Sequence, residues 1–121
     1  MRFDHEQPIY LQIKKEICRR IARGDLVPGD KMLSLRDMAL ELQVNPNTVQ
    51  RAYHELEAEG LLFTRRGQGT FVVEDEEKII RLRERLARKS AQAFLAEADS
   101  LGLKKDDVLQ LLGEVIQEEG F

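Results

Sequence analysis

Apolar residues fall at helical spacing through most of this chain, with one short interruption. Ile9, Ile13, Ile17 and Ile21 stand four apart, with Leu11 and Ala22 nearby, and form a broad stripe from Pro8 to about Arg23. Positions four apart share one face of a helix, so the spacing predicts a first helix packed on its isoleucine side. Gly24 closes it, and Leu26-Val27-Pro28-Gly29-Asp30 reads as a turn. Met38, Ala39 and Leu42 then give a second apolar side, and Val49, Ala52, Tyr53 and Leu56 a third, at i, i+3, i+4 and i+7. Two short helices joined by a tight turn are therefore expected between Ser34 and Gly60. Ser34, with Asp37 three residues on, resembles a capping box. Asn45 is a favoured N-cap, and Pro46 at the first helical position lacks only an N–H that would be unpaired anyway.

After Gly60 the pattern changes. LLFT and TFVV are short strand-forming runs joined by the basic loop RRGQG, the pattern of a β-hairpin. Gly67 and Gly69 let the loop backbone take positive φ. Beyond Val73 the helical spacing returns. Glu74 to Ser100 reads as one helix with Ile79, Leu82, Leu86, Phe94, Ala98 and Leu101 on one side. Gly102 ends it, and Lys104 to about Glu118 forms another, with Val108, Leu111, Leu112, Val115 and Ile116 apolar and Asp106 and Asp107 at the positive end of its dipole. The expected fold is mainly α with a small β-hairpin: a winged helix-turn-helix over residues 1–73, then a two-helix segment over 74–121.

The candidate chemistry lies opposite the apolar face of the third helix. Asn47, Arg51 and His54 occupy that side, with Thr48 and Gln50 on its flanks, and these groups can reach base edges or phosphates in a major groove. In a winged helix the hairpin runs along DNA beside this helix, so Arg65, Arg66, Gly67 and Gln68 would touch phosphates or enter the minor groove. Each feature also has a plainer reading, as helices of an all-α core and as a solvated hairpin tip. Lys14, Lys15, Arg19, Arg20 and Arg23 belong on the solvent side of the first helix, either simply solvated or touching the DNA backbone.

PIYLQIKKEICRRIARGDLVPGDKM, the S-L-R-D-M-A stretch, VNPNTVQRAYHELEAEGLL and RRGQGTFV together resemble the N-terminal winged helix-turn-helix of the GntR family of bacterial transcription regulators. The resemblance runs from Pro8 to Val73, and the NPNTVQRAY form with the short remainder is most similar to the YtrA-type subfamily. It implies operator contacts by Ser34 and Arg36 of the S-L-R motif, by Asn45, Asn47 and Thr48, by Gln50, and by Gly67 with Arg66 beside it. Two positions depart from the family pattern. Leu33 stands where many members have Pro, and Gln50 where many have Arg. The second matters for base preference, because Gln suits adenine where Arg suits guanine.

Residues 1–73 carry 11 basic against 10 acidic side chains, and residues 74–121 carry 8 against 12. A general nucleic-acid binder should be strongly basic, so binding here depends on locally placed charge and should favour particular sites. Two distant histidines and the single Cys18 offer no catalytic or metal-ligand spacing, so neither enzymatic activity nor a cofactor is expected. Cys18 reads as a small buried or half-buried apolar residue. With no signal peptide and no membrane-length apolar run, a soluble cytoplasmic protein without membrane contact is expected.

A tail this short cannot close a core by itself. It either folds back on the winged helix or pairs with a second copy, and similarity to YtrA-type homodimers implies the latter. A two-fold dimer would read an inverted-repeat operator on double-stranded DNA, most simply as a repressor acting by occupancy. Resemblance to YtrA-type regulators further implies control of a transporter operon. A small-molecule effector would then bind at the dimer interface or between tail and winged helix. The alternative is a winged helix whose outward face binds a partner protein.

Overall fold

The computed structural model describes residues 1–121. Its elements are α1 (Ile9–Arg23), α2 (Leu35–Leu42), α3 (Pro46–Ala58), β1 (Leu62–Arg65), β2 (Gly69–Val72), α4 (Glu76–Ser100) and α5 (Lys105–Glu119). The two strands pair antiparallel, with Leu62 opposite Val72, Phe63 opposite Phe71 and Thr64 opposite Thr70. The fold is therefore mainly helical, with a hairpin wing after the helix-turn-helix and two helices at the end.

Local chemistry sets each boundary. The Gly24 N–H closes α1 on the carbonyls of Arg20 and Ile21. Ser34 Oγ accepts from the Asp37 N–H at 3.0 Å to start α2, and Asn45 Oδ1 accepts from the Asn47 N–H at 2.8 Å to start α3. Gln43 holds the left-handed conformation between them, φ 58°, and turns the chain from one helix to the next. The α3 helix ends at Ala58, capped by Glu59, one step before Gly60. At the start of α5 the Lys104 N–H donates to Asp107 Oδ2 at 2.9 Å, so the carboxylate three residues on supplies the cap that position 104 itself lacks.

Two compact units result, Met1–Arg83 and Glu84–Phe121, and α4 belongs to both. In the first unit Ile13, Ile17 and Ile21 of α1 are buried with Met38, Ala39 and Leu42 of α2 and Val49, Ala52, Tyr53 and Leu56 of α3. Cys18 is also buried. Leu61, Leu62 and Val72 bring the base of the wing into this core. The unit reaches ten residues past Val73 because Ile79 and Leu82 of α4 are buried in it and Arg83 Nε donates to the Ala22 carbonyl at 2.7 Å. The segment between α1 and α2 adds a third lane to the wing: Lys31 bridges Phe71, the Met32 N–H donates to Thr70 O at 2.7 Å and the Val72 N–H to Asp30 O at 2.8 Å. Gln12, the one buried polar side chain, exchanges bonds with the backbone of Asp4 at 2.7 and 2.6 Å and reaches Gln7 O at 2.9 Å, pinning the residues ahead of α1.

In the second unit Ala98 and Val108 are buried and Phe94 is half-buried. Leu95, Leu101, Leu109, Leu111, Leu112, Val115 and Ile116 remain exposed, so the apolar face expected along α5 is formed but uncovered within one chain. No helix is long and apolar enough to cross a membrane.

Tyr53 gives this core a pH signature. Its hydroxyl donates to the Leu33 carbonyl at 2.8 Å and its side chain is buried. Burial, helped by the Glu41 carboxylate and opposed by Arg20, pushes the phenol from 10.0 up to about 12. Between these values the unfolded chain releases the proton and the folded chain keeps it. Stability should therefore be unaffected below pH ~10 and fall as pH rises from ~10 to ~12, by about 3 kcal/mol at most from this group. Urea midpoints across that range should fall less steeply in Tyr53→Phe than in the parent; parallel curves would rule this contribution out.

Candidate nucleic-acid interface

Burial of Val49, Ala52, Tyr53 and Leu56 fixes which way α3 faces. Asn47, Gln50, Arg51 and His54 are consequently exposed, and Thr48 is half-buried at their flank. Arg36 is exposed on α2. Ser34 Oγ and Asn45 Oδ1 accept as caps, which leaves the Ser34 O–H and the Asn45 amide NH2 as donors able to act beyond their helices. On the wing, Arg66, Gly67 and Gln68 form the exposed turn between the strands, closed by a Gln68 N–H bond to Arg65 O at 2.9 Å. Gly67 and Gly69 have φ of 77° and 122°, backbone that a side chain would strain.

Two arginines singled out from the sequence are held by aromatic rings. The Arg51 guanidinium lies 3.7 Å from the centroid of Tyr10 in α1, with Nε 3.7 Å from Glu55 Oε2. Arg65 sits 5.4 Å from the Phe63 ring and 5.7 Å from Phe71, and these rings stack on each other at 5.6 Å. Each such contact is worth about 0.5–1 kcal/mol at an exposed site. Arg65 is thus drawn back along the strand pair while Arg66 remains at the tip.

The second half of α3 and its cap carry Glu55, Glu57 and Glu59, which would repel a polyanion if they faced it. Each is engaged by a neighbour instead. Lys14 of α1 bridges Glu59 at 2.8 Å and Glu55 at 3.4 Å, and Thr64 of the wing bonds Glu57 and lies 3.1 Å from Thr70 Oγ1. The hydrogen bond to Glu59, with the two carboxylate charges, raises the Lys14 pKa against the opposing effect of its partial burial. These contacts fix the wing and α1 against α3 and leave its first half as the polar face.

Of the basic run expected on the solvent side of α1, Lys14 is thus committed to α3. Arg20 lies 4.0 Å from Glu16 and 3.6 Å from Glu41, Arg23 pairs with Asp25 at 2.5 Å, and Lys15 donates to Gln7 Oε1 at 3.3 Å. Arg19 is exposed. Tyr10 is not among the residues that the sequence singles out. Nor does it single out the Glu57–Thr64 bond that ties wing to helix. No cluster of His, Cys, Asp and Glu able to hold a metal ion is present.

A helix-turn-helix with an outward polar helix and an adjoining wing defines a winged-helix transcription regulator that binds DNA. The profile of "Bacterial regulatory proteins, gntR family" matches residues 9–72, which takes in α1 through β2. The chain belongs to the GntR family, a family of transcription regulators and not of enzymes. It is 45% identical over 108 residues to the uncharacterised HTH-type transcriptional regulator YhcF of Bacillus subtilis (strain 168), covering 89% of each chain. It is 31% identical over 109 residues to the HTH-type transcriptional repressor YtrA of the same organism, covering 89% of this chain and 84% of that one. A solved GntR family transcriptional regulator from Listeria monocytogenes superposes with a TM-score of 0.88 at 38% identity, over 93% of this chain and 98% of that one. The resemblance to short YtrA-type regulators thus extends through the C-terminal helices.

Proposed function

We propose that the protein is a homodimeric, cytoplasmic repressor that occupies an inverted-repeat operator. The observation that carries this reading is the exposed row Asn47, Gln50, Arg51 and His54 on α3, beside the exposed Arg66-Gly67-Gln68 turn. Asn47, Thr48 and Gln50 would meet base edges, while Arg36, Asn45 and the wing tip would meet the backbone or minor groove. Ser34 contributes by setting the position of α2. The uncovered Leu and Ile side chains of α5 support pairing with a second copy, since an apolar face of this extent is normally buried against a partner. Repression follows from occupancy alone, and the similar YtrA is named a repressor. A small-molecule effector would act by preferring one spacing of the two DNA-binding heads over another.

Selection of duplexes from a randomised library, followed by mobility shifts across a salt series, tests this reading. An inverted repeat should be enriched, with affinity falling steeply as salt rises. Sedimentation should give twice the 14.0 kDa chain mass, and Leu112→Glu should return it to one. Enrichment of no duplex, or binding indifferent to salt, would refute DNA recognition; enrichment of single half-sites by a monomer would refute the dimer.

A further inference from the structure

Arg51 stands on the outward side of α3, yet its side chain does not extend straight out from it. The guanidinium lies over the ring of Tyr10, in the first turn of α1, at 3.7 Å. Its Nε faces Glu55 at 3.7 Å, and Glu55 is held in turn by Lys14, which also bridges Glu59. An aromatic ring on one face and a carboxylate beside Nε therefore draw the group sideways, toward α1. The two terminal amino groups remain to donate, on a side chain that is still largely exposed.

We propose that Tyr10 is a positioning residue that holds Arg51 as a clamp for the DNA sugar-phosphate backbone, so that Arg51 contributes affinity and register and not base choice. This rests on α3 being the DNA-facing helix. A side chain that reads a base edge must project into the groove from the outward face of its helix, as Asn47 and Gln50 can. One leaning on the neighbouring helix is displaced to the flank, where the groove wall is phosphate. An arginine already stacked also has less rotamer freedom to lose on binding, which favours a contact made in the same way on every sequence. Pairing of Glu55 with both Lys14 and Arg51 keeps its carboxylate from repelling the phosphate that Arg51 would meet.

The test compares the full chain with Arg51→Ala, Tyr10→Leu, Tyr10→Phe and the Arg51→Ala/Tyr10→Leu double variant. The probes are a duplex selected by the parent protein from a randomised library and a scrambled duplex of equal composition. Arg51→Ala should weaken both duplexes by the same factor and lower the salt slope by about one. Tyr10→Leu should reproduce part of that loss with the selected-to-scrambled ratio unchanged, and Tyr10→Phe, which keeps the ring, should bind as the parent does. The double variant should be no weaker than Arg51→Ala alone. A changed ratio with an unchanged salt slope in Arg51→Ala would make Arg51 a base reader and overturn the proposal; additive losses in the double variant would remove Tyr10 from it. Because Arg51 is exposed, its variant keeps the fold, and its slope decides even where Tyr10→Leu lowers the melting temperature. If Asn47→Ala and Gln50→Ala impair binding and Arg51→Ala does not, the clamp alone fails. If none of the three does, α3 is not the DNA-facing helix.

Discussion

Leu56→Ala is expected to remove about 2–5 kcal/mol of folding stability, a large share of the ~5–15 kcal/mol typical of a domain. Leu56 is 0% exposed on α3, and its carbonyl accepts the Leu61 N–H at 2.9 Å where the helix gives way to the wing. Truncation leaves a cavity that α1, α2 and the wing cannot fill together, because each is fixed by its own buried residues. The urea midpoint should drop with little change in slope, at matched protein concentration so that self-association does not shift the comparison. Leu40→Ala, on a residue 68% exposed in α2, should move it by no more than about 0.5 kcal/mol. Equal losses at the two positions would place the core elsewhere.

Gln50→Arg is expected to change which base the protein prefers. A Gln amide matches the donor and acceptor of adenine in the major groove, and an Arg fork matches the two acceptors of guanine. A well-formed bidentate contact discriminates by about 1–3 kcal/mol, roughly 5-fold to 150-fold in affinity. Parallel selections from one randomised library should return sites that differ from adenine to guanine at one position of each half-site. Identical sites from both proteins would mean that Gln50 does not face a base. The stability of the two proteins should agree closely, since position 50 is exposed.

Much of this arrangement is legible in the sequence because it is local. The isoleucine spacing of α1, the Ser34 and Asn45 caps, Pro46, and the runs flanking RRGQG are decided within a turn or two of chain, and each appears in the fold. What the spacing cannot give is which side chains meet across elements. Lys14 reads as solvated or as a DNA-backbone contact and instead joins Glu55 and Glu59, because the packing of α1 on α3 sets them opposite one another. Arg51 reads as a free groove contact, yet it rests on Tyr10 for the same reason. Arg65 and Arg66 are neighbours in sequence, but strand register places one against the Phe63 and Phe71 rings and the other at the turn. The reach of the first unit to Arg83 is hidden likewise, since Ile79 and Leu82 continue one helical pattern across the boundary.

The lane that residues 29–32 lay beside β2 has a consequence for how this protein behaves in a crowded cell. Two strands of four residues would be marginal by themselves, and a bare hairpin offers unpaired backbone on both sides to any extended chain. Here Gly29, Asp30 and Met32 take up the outer hydrogen-bonding groups of Thr70 and Val72. Strand addition along β2 is thereby blocked, and only the β1 side, carrying Thr64 and Arg65, stays open. The wing therefore offers a stray extended chain one edge instead of two.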